Sequence, residues 1–159
     1  MHRDPAILER VPTFAGLTPD TLEFLLDHAR EVVVEPGEPF FHQGDAGTTV
    51  FILEEGSVDV RKQFNGGAMT LRLLGPGDCF GEMAVLSVMP RSASAISVGR
   101  SSALTISNAD IALLYQRNPA QFAMLVMNLA REVCRRFADA DERLWAQAQA
   151  QARVAGEPE

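Results

Sequence analysis

Ten of the twelve glycines fall between Gly37 and Gly99, and this clustering divides the 159-residue chain into three zones. Glycine weakens a helix and serves tight turns, so the middle zone reads as short strands and turns flanked by helices. Before it, "LTPDTLEFLLDHARE" predicts an amphipathic helix over 18–31. Thr18 is its N-cap, Pro19 its first residue, and Leu22, Leu25 and Leu26 its apolar stripe. In the middle zone, 32–107, "VFILEEGSVDVRKQF" and "AMTLRLL" alternate or run apolar, and Asn65-Gly66-Gly67 marks a hairpin. "SASAISVGRSSALTIS" adds two strands around Gly99-Arg100. Such regular spacing predicts an antiparallel β-barrel or jelly roll, and with the flanking helices an α+β, mainly β, fold.

The third zone, 108–152, is helical. Asn108 to Gln116 makes a short helix that Asn118-Pro119 ends, and nothing then breaks a long helix as far as about Ala152. Phe122, Val126, Leu129, Val133, Phe137, Ala140 and Leu144 form one continuous stripe along it. That stripe must lie on its own barrel, on a second copy of the chain, or on both, and its length favours a homodimer through this helix. Residues 1–152 form the domain and 153–159 a flexible tail.

Composition then removes whole classes of function. A net charge of −7 opposes a general nucleic-acid surface, which needs a basic excess. No apolar run is long enough for a membrane span, and the N-terminus lacks a signal-peptide pattern, so a cytoplasmic protein is expected. Cys79 and Cys134 have no metal or redox spacing and read as reduced core residues. His2, His28 and His42 are too scattered for a metal site, which leaves a metal-dependent cupin-type enzyme without support. No Ser–His–Asp arrangement or activated cysteine is evident, so no catalytic residue and no cofactor are expected.

One stretch carries chemistry. "FGEMAVLSVMPRSAS", 80–94, places Glu82 and Arg91 on an otherwise apolar and small-residue background. Buried charges are costly unless they pair with each other or with something brought in. Gly81 follows a strand, "EMAVLS" has the length of a short helix, and Pro90 disfavours helix at Met89. A short helix opened by glycine leaves its first N–H groups free for an anion. Arg91 is set to reach the same place, and Ser92 and Ala93 are small enough for a ligand to approach the backbone. A phosphate-bearing ligand is the expected occupant.

These residues resemble the phosphate-binding cassette of cyclic nucleotide-binding domains, found in catabolite activator protein, protein kinase A regulatory subunits and cyclic-nucleotide-gated channels. "EPGEPFFHQGDAGTTVFILEEGSVDV" is similar to the family's earlier strands. The resemblance implies that Arg91 pairs with the cyclic phosphate and Glu82 accepts from the ribose 2′-hydroxyl. Backbone N–H groups near Gly81, Ala84 and Ala93 would complete the cradle, with Phe80, Met83 and Ser92 also at the ligand. Ser92 would touch the phosphate or the 2-amino group of a syn guanine, or else cap a strand. The long helix would close over the base, with Glu132, Arg135, Arg136 and Phe137 as candidate lid residues. Arg136 and Phe137 stand where catabolite activator protein has hydroxyl residues, which leaves cAMP against cGMP open.

The implied role is a sensor of cAMP or cGMP, not an enzyme, that relays to a partner or attached domain. Catabolite-activator-like regulators carry a helix-turn-helix after the long helix, and the chain ends there instead, so DNA binding is not expected. Two bland readings stand beside this one: a structural Glu82–Arg91 ion pair, and a dimerisation adaptor with a vestigial pocket.

Overall fold

The glycine-marked joints of the middle zone are chain reversals, and the strands between them stack as two antiparallel sheets. The computed structural model describes residues 6–155. One sheet orders β1 (Arg30–Val34), β8 (Ser101–Ser107), β3 (Thr49–Glu55) and β6 (Cys79–Phe80). The other orders β2 (Pro39–Phe41), β7 (Ser94–Ser97), β4 (Val58–Phe64) and β5 (Gly67–Leu74). This is the jelly roll expected. In the β4–β5 hairpin Phe64 faces Gly67, and Gly66, at the second central position of the turn, takes φ 102°, a conformation that suits glycine.

Helices α1 (Ala6–Glu9) and α2 (Pro19–His28) precede the sheets, separated by a 3₁₀ turn at Pro12–Phe14. Thr18 caps α2 as expected, but the helix closes at His28 and not at residue 31. The β-branched run Val32–Val34 favours extended backbone, and Arg30–Val34 pairs with Thr105–Ser101 as β1. The short helix α3 (Glu82–Ser87) joins β6 to β7. After the sheets come α4 (Asn108–Arg117), opened by a Ser107/Asp110 capping box, and α5 (Pro119–Ala155). Of the tail assigned to 153–159, residues 153–155 continue α5 and the rest lies outside the described residues, as does His2.

Two cores result. Leu8, Phe14, Leu22, Leu25, Leu114, Leu125 and Leu129 bring the helices together over Val50, Ile52, Leu104 and Ile106. Between the sheets, Phe51, Leu53, Val58, Leu74, Phe80, Ala95 and Ala103 pack with Phe40, Phe41 and Val60. At 37 residues α5 is about 55 Å long. Its stripe is covered only as far as Val133, and Phe137, Leu144 and Trp145 are 64–68% exposed. Cys134 lies on this outer part and is exposed, not in the core; Cys79 is buried. Among the described residues no helix is long and apolar enough to cross a membrane.

Candidate functional site

The site grows from the turn between β6 and α3. Gly81 caps α3 in the left-handed region, at φ 80° and ψ 1°, and no side chain caps the first-turn N–H groups. The helix stops at Ser87, and Val88 takes φ 55°, a costly conformation for a β-branched residue, as the chain turns toward Pro90. Arg91 then enters the interior and is only 5% exposed. Its Nη1 donates to the Gly81 carbonyl oxygen at 2.6 Å and its Nη2 to that of Thr49 at 2.8 Å. The guanidinium lies over the Phe41 ring, 4.2 Å from its centroid, above a floor where Phe51 stacks on Phe80.

Glycine clears the room for this cation. A Cβ on Gly81 would fall 2.6 Å from Arg91 Nη1, and one on Gly47 would fall 2.8 Å from Nε. Gly81 was legible as a helix opener. Gly47 read as one turn glycine among many, because close approach by a residue 44 positions away leaves no local mark.

Glu82 is 1% exposed. Its Oε1 accepts from Arg136 Nη1 of α5 at 2.6 Å, while Arg136 Nε donates to Glu132 at 2.7 Å. Arg136 Nη2 also donates to the Cys79 carbonyl oxygen. The structural pair that forms is therefore Glu82–Arg136, not Glu82–Arg91. Burial pushes the Glu82 carboxyl above the ordinary glutamate range, against the pull of Arg136. Burial likewise lowers Arg91, opposed by Glu82 and Asp45, and a guanidinium so placed remains charged. Glu132 is pushed up by burial, but its bonds to Arg135 and Arg136 outweigh that and hold it below the usual range. The buried Cys79 thiol is raised by desolvation and then by Glu82, so it is inert.

Two polar atoms at the site are buried without a partner: Glu82 Oε2, an acceptor, and Arg91 Nε, a donor. Both residues line one cleft. Phe80, Gly81, Met83, Ala84, Ser92 and Ala93 line it too, so all eight residues read from the cassette surround one space. Phe41, Val60 and Arg136 complete the wall. Beside it, and sharing Val60, Met83, Ser92, Ala93 and Arg136, lies a larger cleft between β4, β5 and α5. Of the four candidate lid residues, Arg136 and Phe137 line this cleft; Glu132 and Arg135 line neither. Glu132 instead ties Arg135 and Arg136 together on α5. Arg72 and Arg143 in the wall were not singled out from sequence. Their alternation on β5 and turn on α5 become informative only once the two elements are known to face each other. Among the described residues no cluster of three His, Cys, Asp or Glu side chains could hold a metal ion.

The family pattern described as cyclic nucleotide-binding domain matches residues 31–118. The cyclic AMP receptor protein of Thermus thermophilus is 36% identical over 131 residues, covering 82% of this chain and 59% of that protein. The cAMP-dependent protein kinase regulatory subunit of Blastocladiella emersonii is 35% identical over 96 residues, covering 60% of this chain and 24% of that one. The chain thus spans less than two thirds of the length of either relative. The crystal structure of Thermus thermophilus catabolite activator protein superposes with a TM-score of 0.74 at 35% identity, over 86% of this chain and 63% of that one. With the cassette residues gathered on one cleft of a jelly roll and the family pattern spanning more than half of its length, this chain belongs to the cyclic nucleotide-binding domain family.

Proposed function

We propose that the chain is a sensor module that binds a cyclic purine monophosphate, closes α5 over it and passes the change to a partner or attached domain. The observation that carries this is the pair of orphaned atoms. Glu82 and Arg91 both line the same cleft, each carries one buried polar atom without a partner, and an unmet polar atom costs free energy until something satisfies it. A ribose 2′-hydroxyl suits the first and a cyclic phosphate oxygen the second. The uncapped first turn of α3 adds donors for the phosphate. These unmet groups favour a working pocket over a vestigial one. Arg136 belongs to both α5 and the cleft, so a ligand that bonds Glu82 competes with or reinforces the contact that holds the helix. The response is a population shift set by the ligand's preference for one helix position.

Isothermal titration of the chain with cAMP and with cGMP tests this reading, with chromatography of the nucleotide afterwards. Saturable binding without product is expected; no heat at millimolar nucleotide, or product growing with protein, overturns it. The exposed outer half of α5, with Phe137, Leu144 and Trp145, supports pairing with a second copy. Sedimentation at tens of micromolar should show a dimer, and Leu144→Glu with Trp145→Glu a monomer.

A further inference from the structure

A separate cleft is walled by β1, β8 and β3, by Phe40 of β2 and by the start of α4, and it shares no residue with the two clefts above. Its apolar floor is Val32, Phe40 and Phe51. That floor is held in place from behind. Phe51 stacks on Phe80 and meets Phe40 edge to face, and the carbonyl oxygen of Thr49, another wall residue, accepts from Arg91 Nη2 at 2.8 Å. A cleft with an aromatic floor and a few polar groups at its rim is the usual form of a small-molecule site.

The rim carries two opposite charges that do not pair with each other. Arg30 makes no ion pair or side-chain hydrogen bond among the described residues. Asp110 spends Oδ2 on the Ser107 amide and hydroxyl, at 2.8 and 2.6 Å, and its Oδ1 accepts from nothing among the described residues. Strand register keeps the two apart. Arg30 faces Thr105 on β8, whereas Asp110 is tied to Ser107, two residues and so about 7 Å further along that strand. His28 stands beside Arg30 at the rim, and its Nδ1 bonds the Phe24 carbonyl oxygen at 2.8 Å. In the neutral ring that bond places the hydrogen on Nδ1 and leaves Nε2 as an acceptor.

We infer that this cleft is a second ligand site and that it takes a free α-amino acid with an apolar side chain. The carboxylate pairs with the Arg30 fork, the ammonium with Asp110 Oδ1 and His28 Nε2, and the side chain lies on Phe40 and Phe51. A simple anion would be set beside Asp110 and a simple cation beside Arg30, so only a ligand carrying both signs satisfies the rim.

Isothermal titration of the full chain with L-phenylalanine, 3-phenylpropionate and phenethylamine tests this. The last two keep the ring and drop the ammonium or the carboxylate. L-Phenylalanine should bind saturably at millimolar titrant, and each of the others about tenfold more weakly or worse, the loss of one charge-assisted contact. Arg30→Gln should weaken phenylalanine by a similar factor. Asp110→Asn should also weaken it while keeping an oxygen to cap α4, so the fold survives. Absence of phenylalanine binding, or 3-phenylpropionate or phenethylamine binding as tightly as phenylalanine, would overturn the inference. So would binding that Arg91→Ala abolishes and Arg30→Gln leaves intact, because the amino acid would then sit in the cassette cleft. None of these results bears on cAMP or cGMP binding, which is titrated separately.

Discussion

The two ends of the cleft hold their charges in opposite ways. At the cassette end Arg91 is locked by two backbone carbonyl oxygens, of Gly81 in the turn and Thr49 on β3, and by an aromatic floor on the sheets. At the helix end Arg136 of α5 reaches across to the Glu82 carboxylate and the Cys79 carbonyl oxygen, and Glu132 of the same helix steadies it side chain to side chain. A carbonyl cannot change its rotamer or its charge, so the cassette end is fixed. Two long side chains can let go, so the helix end is where a ligand can shift a population. The same residue type, arginine, anchors a ligand in one place and a moving element in the other.

Substituting those two arginines is the sharpest way to break the comparison. Arg91→Ala should weaken nucleotide binding by about 2–5 kcal/mol, because a ligand charge would then be buried unpaired. Binding as tight as the parent, measured by titration, would put the phosphate elsewhere. Arg136→Ala should act mainly on stability, by about 3 kcal/mol, because it strands a carboxylate that is 1% exposed. Urea unfolding would show this, and an unchanged midpoint would mean that Glu82 finds another partner.

Smaller effects sharpen the contrast. Gly81→Ala should cost about 1–2 kcal/mol through its left-handed backbone, with a further loss of nucleotide affinity from crowding Arg91. The smallest effect is a pH dependence. Burial raises Glu82 above its ordinary value of 4.5, so the folded state takes up the proton more readily than the unfolded one. Its contribution to stability is therefore full below the unfolded pKa and is lost as pH rises through the folded value. Unfolding of the parent and of Glu82→Gln across the mildly acidic range should show the difference between them move in that direction. A difference that is flat with pH, or of opposite sign, would mean that Arg136 overcomes the desolvation.

What could be read in advance follows the same divide. The cassette is contiguous, and Gly81, the "EMAVLS" helix and Pro90-Arg91 each leave a local signature, so the gathering of these eight residues on one cleft was legible. The helix end was not. Arg136 could be assigned to α5, but its bond to Glu82, 54 positions earlier, depends on how α5 crosses the barrel. Nothing in the sequence singles out Arg72 on β5 or Arg143 on α5, and only their common cleft brings them together. Cys134 failed for a related reason: the stripe on α5 runs past the edge of the barrel, so an apolar neighbourhood in sequence was not a buried one in space.

The most direct test of the account is a crystal structure of the chain with cGMP bound. The account predicts the cyclic phosphate against Arg91 and the first turn of α3, with the ribose 2′-hydroxyl on Glu82 and the base under α5. A nucleotide whose phosphate sits among Arg72 and Arg143, with Glu82 Oε2 and Arg91 Nε still unpartnered, would contradict it.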